Sequence, residues 1–420
     1  MPFLLILWIF LLPVWSHADE TSIVKSIHIV GLKHTDERVV LRDLPFHKGS
    51  IWKQDYLATS ERRLRNLGIF SEVKLLNLNA QGEVKIIVKE RWSVWLLPEA
   101  TRKDGGASRA GLTLTNYNLW GLNHFSRISG SVDTGKNFSS NQGRSYQASY
   151  TWRRVYDSKY DIDMALNQGD SIFDVFENGL LASSYTQNTQ SWALGLSYAF
   201  DEVPGEGWGA RIGLSHSRKA FTLKTGLPHP DIQNNQRNAA NLDLFYRQVD
   251  DHSTWITGST FNYHLDFANK LFGSSVNVVR QSVSWRSYIP LKQKNTINVR
   301  VNAGWADGNL LRDGLFDLGD GKGMRGYYPG DLQGSAYIYG TLESRMLITP
   351  DSNVQWVVFT DVGHVTNQGR RALGRSVVAG IGGGARWTLR WLVNGTLRGD
   401  IAYSTALHRW RVHLGTGQSF

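Results

Sequence analysis

The sequence predicts a membrane β-barrel of sixteen antiparallel strands, an all-β architecture, behind a small N-terminal α+β domain of order β-α-α-β-β. Three observations predict it. From residue 93 onward, segments of about ten residues alternate apolar and polar side chains and are separated by Gly, Asn, Asp and Pro clusters. Helical periodicity is confined to residues 35–67. The chain is also rich in glycine and aromatic residues, with 42 Gly, 16 Trp, 16 Tyr and 17 Phe in 420 residues, a composition that suits strands, tight turns and interfacial rings.

Composition removes several classes. The absence of Cys excludes a disulfide scaffold, a thiolate metal site and a catalytic cysteine. Only the extreme N-terminus carries an apolar run near spanning length, so a bundle of transmembrane helices is excluded. The net charge of +10 suits either nucleic acid or anionic lipid and does not choose between them.

Residues 3–14 (FLLILWIFLLPV) have the length of a signal-peptide apolar region. Ser16 and Ala18 stand at the −3 and −1 positions of a cleavage site, so residues 1–18 read as a signal peptide and Asp19 as the first mature residue. Export without cysteine fits the periplasm or outer membrane of a Gram-negative bacterium.

Residues 22–92 form the small domain. Ile27 and Ile29 alternate with polar neighbours in a strand ending at Gly31. Thr35 is placed to cap a helix with Asp36 and Glu37 in its first turn, ending near Leu44 ahead of Pro45. A second helix spans 54–67, with Leu57, Leu64 and Leu67 on one face and Gly68 as its stop. Strands follow at 70–76 and 84–89, joined by a turn at 79–82. This order, with the words Leu67-Gly68-Ile69-Phe70 and Val88-Lys89-Glu90, resembles a POTRA domain, the periplasmic module of outer-membrane assembly proteins. There is room for one such unit before the alternating region.

Residues 93–420 then read as strands at 93–101, 108–117, 125–135, 144–155, 159–169, 184–200, 208–220, 238–249, 256–267, 277–289, 295–305, 335–348, 354–365, 377–389, 394–404 and 409–420. In the 335–348 strand, Ala336, Ile338, Leu342, Met346 and Ile348 share one face, and Tyr337, Tyr339, Thr341, Glu343 and Arg345 the other. In 377–389, Val377, Ala379, Ile381, Ala385, Trp387 and Leu389 oppose Gly380, Gly382, Gly384 and Arg386. A secreted sandwich or propeller would alternate too; the signal peptide and the number of strands favour an apolar face to lipid and a polar face to a lumen. The last strand ends the chain on Phe420, which resembles the terminal signal of outer-membrane barrels.

One motif is sharply specific. Residues 317–330 read DLGDGKGMRGYYPG, within a long loop at 306–334. The glycines at 321, 323 and 326 spell G-x-G-x-x-G, but Tyr327-Tyr328-Pro329-Gly330 cannot open the helix that a nucleotide site requires. Met324-Arg325-Gly326-Tyr327 instead resembles the (V/M)-R-G-(F/Y) motif on the long sixth extracellular loop of the BamA/TamA superfamily, which includes two-partner-secretion transporters. That resemblance implies inward-facing acidic partners, matched here by Glu343 in TLESR and Asp361 in FTDVG. Arg325 would hold the loop in the lumen through charge-assisted bonds, and Gly380, Gly382 and Gly384 would let loop backbone approach the wall.

The chain carries no HExxH, G-x-S-x-G or P-loop, and its twelve His are scattered, so no enzymatic activity, metal or other cofactor is expected. Basic words such as Trp152-Arg153-Arg154 read as lumen or headgroup contacts, with no nucleic-acid partner. The resemblance implies assembly, insertion or translocation of unfolded or secreted polypeptides, with outer-membrane lipid and periplasmic or membrane proteins as partners. The edge strand Val73, Lys74, Leu75 and Leu76 would capture a client by strand addition. A transporter pore for a dedicated secreted protein, and a structural or enzymatic barrel without translocation, are the alternatives.

Overall fold

The computed structural model describes residues 23–416 apart from 103–107, 134–142, 178–179, 202–204, 311–313, 320–322, 329, 350 and 367–376. Residues 1–18, where a signal peptide is expected, and Phe420 lie outside the described residues.

The N-terminal domain contains β1 (Ser26–Val30), α1 (Glu37–Leu41), α2 (Asp55–Asn66), β2 (Phe70–Leu76) and β3 (Glu83–Glu90). Its sheet runs β1-β3-β2, with β1 parallel and β2 antiparallel to β3. Both helices lay apolar faces on this sheet, burying Val39, Val40 and Leu64 with Phe70, Val84, Ile86 and Val88. The helix cap differs from expectation. Asp36, not Thr35, caps α1, accepting from the Arg38 backbone N–H at 2.9 Å. Thr35 is held elsewhere: its N–H bonds Glu90 and its hydroxyl accepts from Asn118. Helix α1 also stops at Leu41, short of Leu44. Gly68, at φ +76°, follows α2 in the left-handed conformation that ends a helix.

The barrel sheet has sixteen strands in antiparallel order along the chain. They are β4 (Val94–Arg102), β5 (Ser108–Leu119), β6 (His124–Asp133), β7 (Arg144–Trp152), β8 (Tyr160–Glu177), β9 (Leu180–Ala199), β10 (Gly207–Gly226) and β11 (Asn235–Asp251). They continue with β12 (Ile256–Ala268), β13 (Val278–Pro290), β14 (Thr296–Gly308), β17 (Ala336–Leu347), β18 (Val354–Val365), β19 (Val378–Thr388), β20 (Thr396–Ser404) and β21 (Arg409–Thr416). A two-stranded ribbon, β15 (Phe316–Asp317) with β16 (Gln333–Gly334), closes the base of the long loop.

The faces are inverted relative to a water-soluble sheet. Ile128, Leu166, Ile212, Leu214, Ile338 and Val358 are exposed outward, whereas Arg300, Glu343, Asp361 and Arg386 are buried inward. No helix among the described residues is long and apolar enough to cross a membrane. Aromatic pairs such as Tyr160–Tyr198 and Trp208–Tyr246, with ring centroids 4.9 and 5.1 Å apart, flank the turns nearest the N-terminal domain, where an interfacial girdle belongs.

Strands β8 to β11 exceed their expected ends, reaching 18, 20, 20 and 17 residues where a bilayer needs about 9–11. Their far ends pack Val175, Tyr185 and Ile232 with Phe173 and Phe221. Above the membrane both faces meet water or protein, so the apolar-outward rhythm that marks a strand in the sequence fades there.

Candidate functional site

The site is the place where the long loop folds back onto the inner wall. Glu343 on β17 and Asp361 on β18 point inward because each occupies the polar parity of its strand, and the register pairs Asp361 with Thr341, one inward position from Glu343. Arg325 inserts between them. Its Nη1 donates to Glu343 Oε2 at 2.6 Å, and its Nε and Nη2 clasp the two oxygens of Asp361 at 2.9 Å each. The Arg325 backbone N–H adds a bond to Asp361 Oδ2 at 3.0 Å. The guanidinium lies 3.3 Å from the centroid of the Phe359 ring.

Neighbouring loop residues are fastened as well. Gly326 donates to His413 Nε2 on β21 at 3.1 Å, and the Tyr327 hydroxyl donates to Ala379 O at 2.8 Å. Arg411 bonds the Tyr327 carbonyl, Arg409 bonds Asp331, and both guanidiniums stack on Tyr328. Met324 and Tyr327 are fully buried in an apolar cluster with Leu318, Leu332 and Tyr339. Gly380 permits the approach: a Cβ there would stand 2.2 Å from the Arg325 carbonyl oxygen. Gly382 and Gly384 do a different job from the one expected. A Cβ on them would strike Ile401 O and the Asp400 carboxylate, so they accommodate β20 and the Phe359 ring, not loop backbone.

Sequence reasoning missed part of the cluster. Arg345 bonds Glu343 Oε1 at 2.7 Å, and Arg386 sits 3.6 Å from Glu343 while pairing Asp400 at 2.6 and 3.2 Å. Among the described residues, ion pairs thus join three guanidiniums (Arg325, Arg345, Arg386) to three carboxylates (Glu343, Asp361, Asp400), and the buried Arg300 stands beside them, donating to Thr341 at 3.2 Å. Arg345 and Arg386 already had inward parity in the sequence. Only cross-strand register shows that they and Asp400 meet Glu343.

The remaining expected residues lie apart from this cluster. Val73 to Leu76 occupy β2, the sheet's outer strand. That edge is partly covered: the Leu75 N–H donates to Glu61 of α2 at 2.9 Å, and the Leu75 side chain is buried.

The first and last barrel strands, β4 and β21, end the sheet order and share no ladder among the described residues. The chain entering β4 is instead clipped two strands further on. Trp92 N–H donates to Trp391 O at 2.8 Å, and Val393 N–H donates to Trp92 O at 3.1 Å, both in the β19–β20 turn. The N-terminal domain is seated on other turns of the same rim. Arg42 pairs Asp157, Arg154 pairs Asp43, Arg62 pairs Glu206 and Arg65 pairs Asp250, at 2.5–3.1 Å. Asp36 N–H donates to Gly121 O, and Tyr117 and Val393 pack on the domain's core.

Comparison with known proteins agrees with this architecture. The family model described as the Omp85 superfamily domain matches residues 118–420, and the POTRA model, described as a surface antigen variable number repeat, matches 22–91. A curated relative, outer membrane protein assembly factor BamA of Nitratidesulfovibrio vulgaris, is 20% identical over 361 residues, covering 81% of this chain and 43% of its own length. The chain therefore spans less than half of that relative. Similar solved structures include CdiB from Escherichia coli (TM-score 0.62, 15% identity, 94% of this chain and 74% of that one) and CdiB from Acinetobacter baumannii (0.58, 18%, 93% and 73%). BamA from Haemophilus ducreyi lacking POTRA domains 1–3 gives 0.53 at 16% identity, covering 94% and 83%. With the family model spanning the barrel from residue 118 to its end, and a POTRA domain seated on the barrel's inner rim, the chain belongs to the Omp85 superfamily of outer-membrane barrels with periplasmic POTRA domains.

Proposed function

We propose that this protein helps other polypeptides enter the outer membrane, acting as an assembly factor through its barrel seam, with the Arg325 lock holding the long loop in place. The observation that carries the reading is the seam itself: β4 and β21 share no ladder among the described residues, while the linker before β4 is anchored elsewhere, at Trp391 and Val393. Unpaired strand edges bind incoming strands by backbone hydrogen bonds, and the bonds exchanged in a swap are of one kind, so the net cost is small. The β2 edge of the POTRA domain supplies a first contact for an extended client. The free energy comes from client folding, and no nucleotide or other cofactor enters the scheme.

A secretion pore for a dedicated partner is the second reading. Its support is the polar inner wall away from the lock, where Arg211 bridges Asp163 and Asp243 at 3.2–3.3 Å and His264 bonds Asp243 at 2.7 Å beside a cavity of about 450 Å³.

Reconstitution in lipid vesicles separates the two. Under the assembly reading, the vesicles accelerate folding of an unrelated denatured barrel protein, read from its heat-modifiable gel migration. A stable ionic current blocked by a secreted polypeptide, without such acceleration, transfers the assignment to the pore. If both activities are absent, the barrel has a structural or other role; if the activity found survives Arg325→Ala, the lock takes no part in it.

A further inference from the structure

The lipid-facing wall has a pit beside the last strand. Cross-strand register sets Trp356 against Ala385, Ala385 against Gly399, and Gly399 against Leu414. The next outward row runs Val358, Gly383, Ile401, Val412. Small residues therefore occupy the middle of the first row (Ala385, Gly399) and one middle position of the second (Gly383), with large apolar residues around them. The result is an apolar depression of about 1080 Å³. On β9 and β10 the same face is filled: Leu194 faces Leu214 and Leu196 faces Ile212.

At Gly399 packing on the outer face does not demand the missing side chain: a Cβ there would meet Leu414 Cδ2 at 3.5 Å, ordinary contact, whereas one at Gly383 would stand a tight 3.2 Å from the Val357 carbonyl. By contrast, Gly382 and Gly384 on the inner face have no room for one. Along 382–384, β19 thus carries no side chain on either face. Only backbone separates the pit from Phe359 and the Asp400–Arg386 pair inside.

We propose that this pit is a seat for one acyl chain of a bilayer lipid. The pit is continuous with the membrane-facing belt, so the occupant comes from the bilayer. Its walls offer apolar carbon, which selects hydrocarbon over headgroup. An empty depression forfeits the dispersion contacts that a filled wall makes, and a flexible linear chain restores them. One wall belongs to β21, so the seated chain bridges β18 to the strand that borders the seam.

The test uses the full chain folded into phosphatidylethanolamine vesicles doped with a lipid carrying a mid-chain diazirine. After photolysis, peptides are mapped by mass spectrometry. Label on peptides containing Ala385, Gly399 and Leu414 should exceed that on Leu194 and Leu214 by about fivefold, the preference that five to ten extra carbon contacts give. Gly399→Leu and, separately, Ala385→Leu should fill the pit and bring its label down to the β9–β10 level, with heat-modifiable migration confirming the folded barrel. Label spread evenly over the outer face overturns the proposal. So does enrichment that both filled variants leave unchanged. Label excluded from the pit also overturns it and reserves this face for a protein partner.

Discussion

Replacing Arg325 by Ala tests the lock most directly. The side chain makes three bonds of 2.6–2.9 Å, lies against the Phe359 ring and is buried with Glu343 and Asp361. Truncation removes the cation that bridges Glu343 and Asp361. Glu343 keeps Arg345 at 2.7 Å and Arg386 at 3.6 Å, so the uncompensated charge falls mainly on Asp361. Removing one partner of a buried pair costs about 3–5 kcal/mol. Lys in place of Arg keeps the charge but loses the two-pronged grip on Asp361, so its cost should be smaller. Removing the charge and its partner together, as Arg325→Ala with Asp361→Asn, should cost less than the sum of the single changes, because no orphaned carboxylate remains. The assay is urea unfolding in detergent, paired with protease cleavage of residues 306–334. A loss below about 1 kcal/mol in Arg325→Ala, with unchanged loop cleavage, would refute the reasoning, because that is the range of a solvated pair.

Four further outcomes are expected. Gly380→Ala pushes a methyl group to within 2.2 Å of the Arg325 carbonyl and should cost about 1–3 kcal/mol while speeding cleavage of the same loop; normal stability would show that the loop does not press on the wall there. Glu61→Ala frees the Leu75 N–H on the β2 edge and should strengthen binding of an extended client peptide, measured by fluorescence anisotropy; unchanged affinity would place client capture elsewhere. Arg154→Ala leaves the buried Asp43 without its 2.5 Å partner and should loosen the POTRA domain from the rim, read as faster hydrogen exchange across α1, whereas Arg62→Ala, on a more exposed pair, should change it by under about 1 kcal/mol. Burial by itself would raise the Glu90 carboxyl, but N–H donors from Lys33, Thr35 and His34 outweigh it and hold its pKa below the ordinary 4.5. Its stabilisation is therefore present above the unfolded value and lost as pH falls through the lower folded one. Acid should release residues 33–35 in hydrogen exchange, and Glu90→Gln should remove that pH dependence.

Much of this molecule was legible in one dimension. Period two in a strand is a geometric necessity, so parity alone put Glu343, Asp361, Arg345 and Arg386 on the same inner surface. Turn residues marked where strands end, because glycine, proline and asparagine adopt backbone angles that strands do not. Both signals fail where their cause stops. The outer ends of β8 to β11 leave the bilayer, and the contrast between lipid and lumen ends with it. The choice of Asp36 over Thr35 as helix cap is equally invisible in the sequence, because both oxygens are chemically competent and the decision rests on Glu90 and Asn118 occupying Thr35 from distant parts of the chain.

Local sequence therefore determined the strands and their two faces, since each follows from neighbours a few residues away, while Arg325 was singled out by the resemblance of its motif to a known family. Tertiary structure alone decided which charges share one buried cluster, where the POTRA domain sits and that β4 and β21 share no ladder among the described residues. Those depend on inter-strand stagger and on contacts between residues more than a hundred positions apart, such as Arg42 with Asp157. No local pattern encodes a meeting whose partners are chosen by the closure of the whole wall.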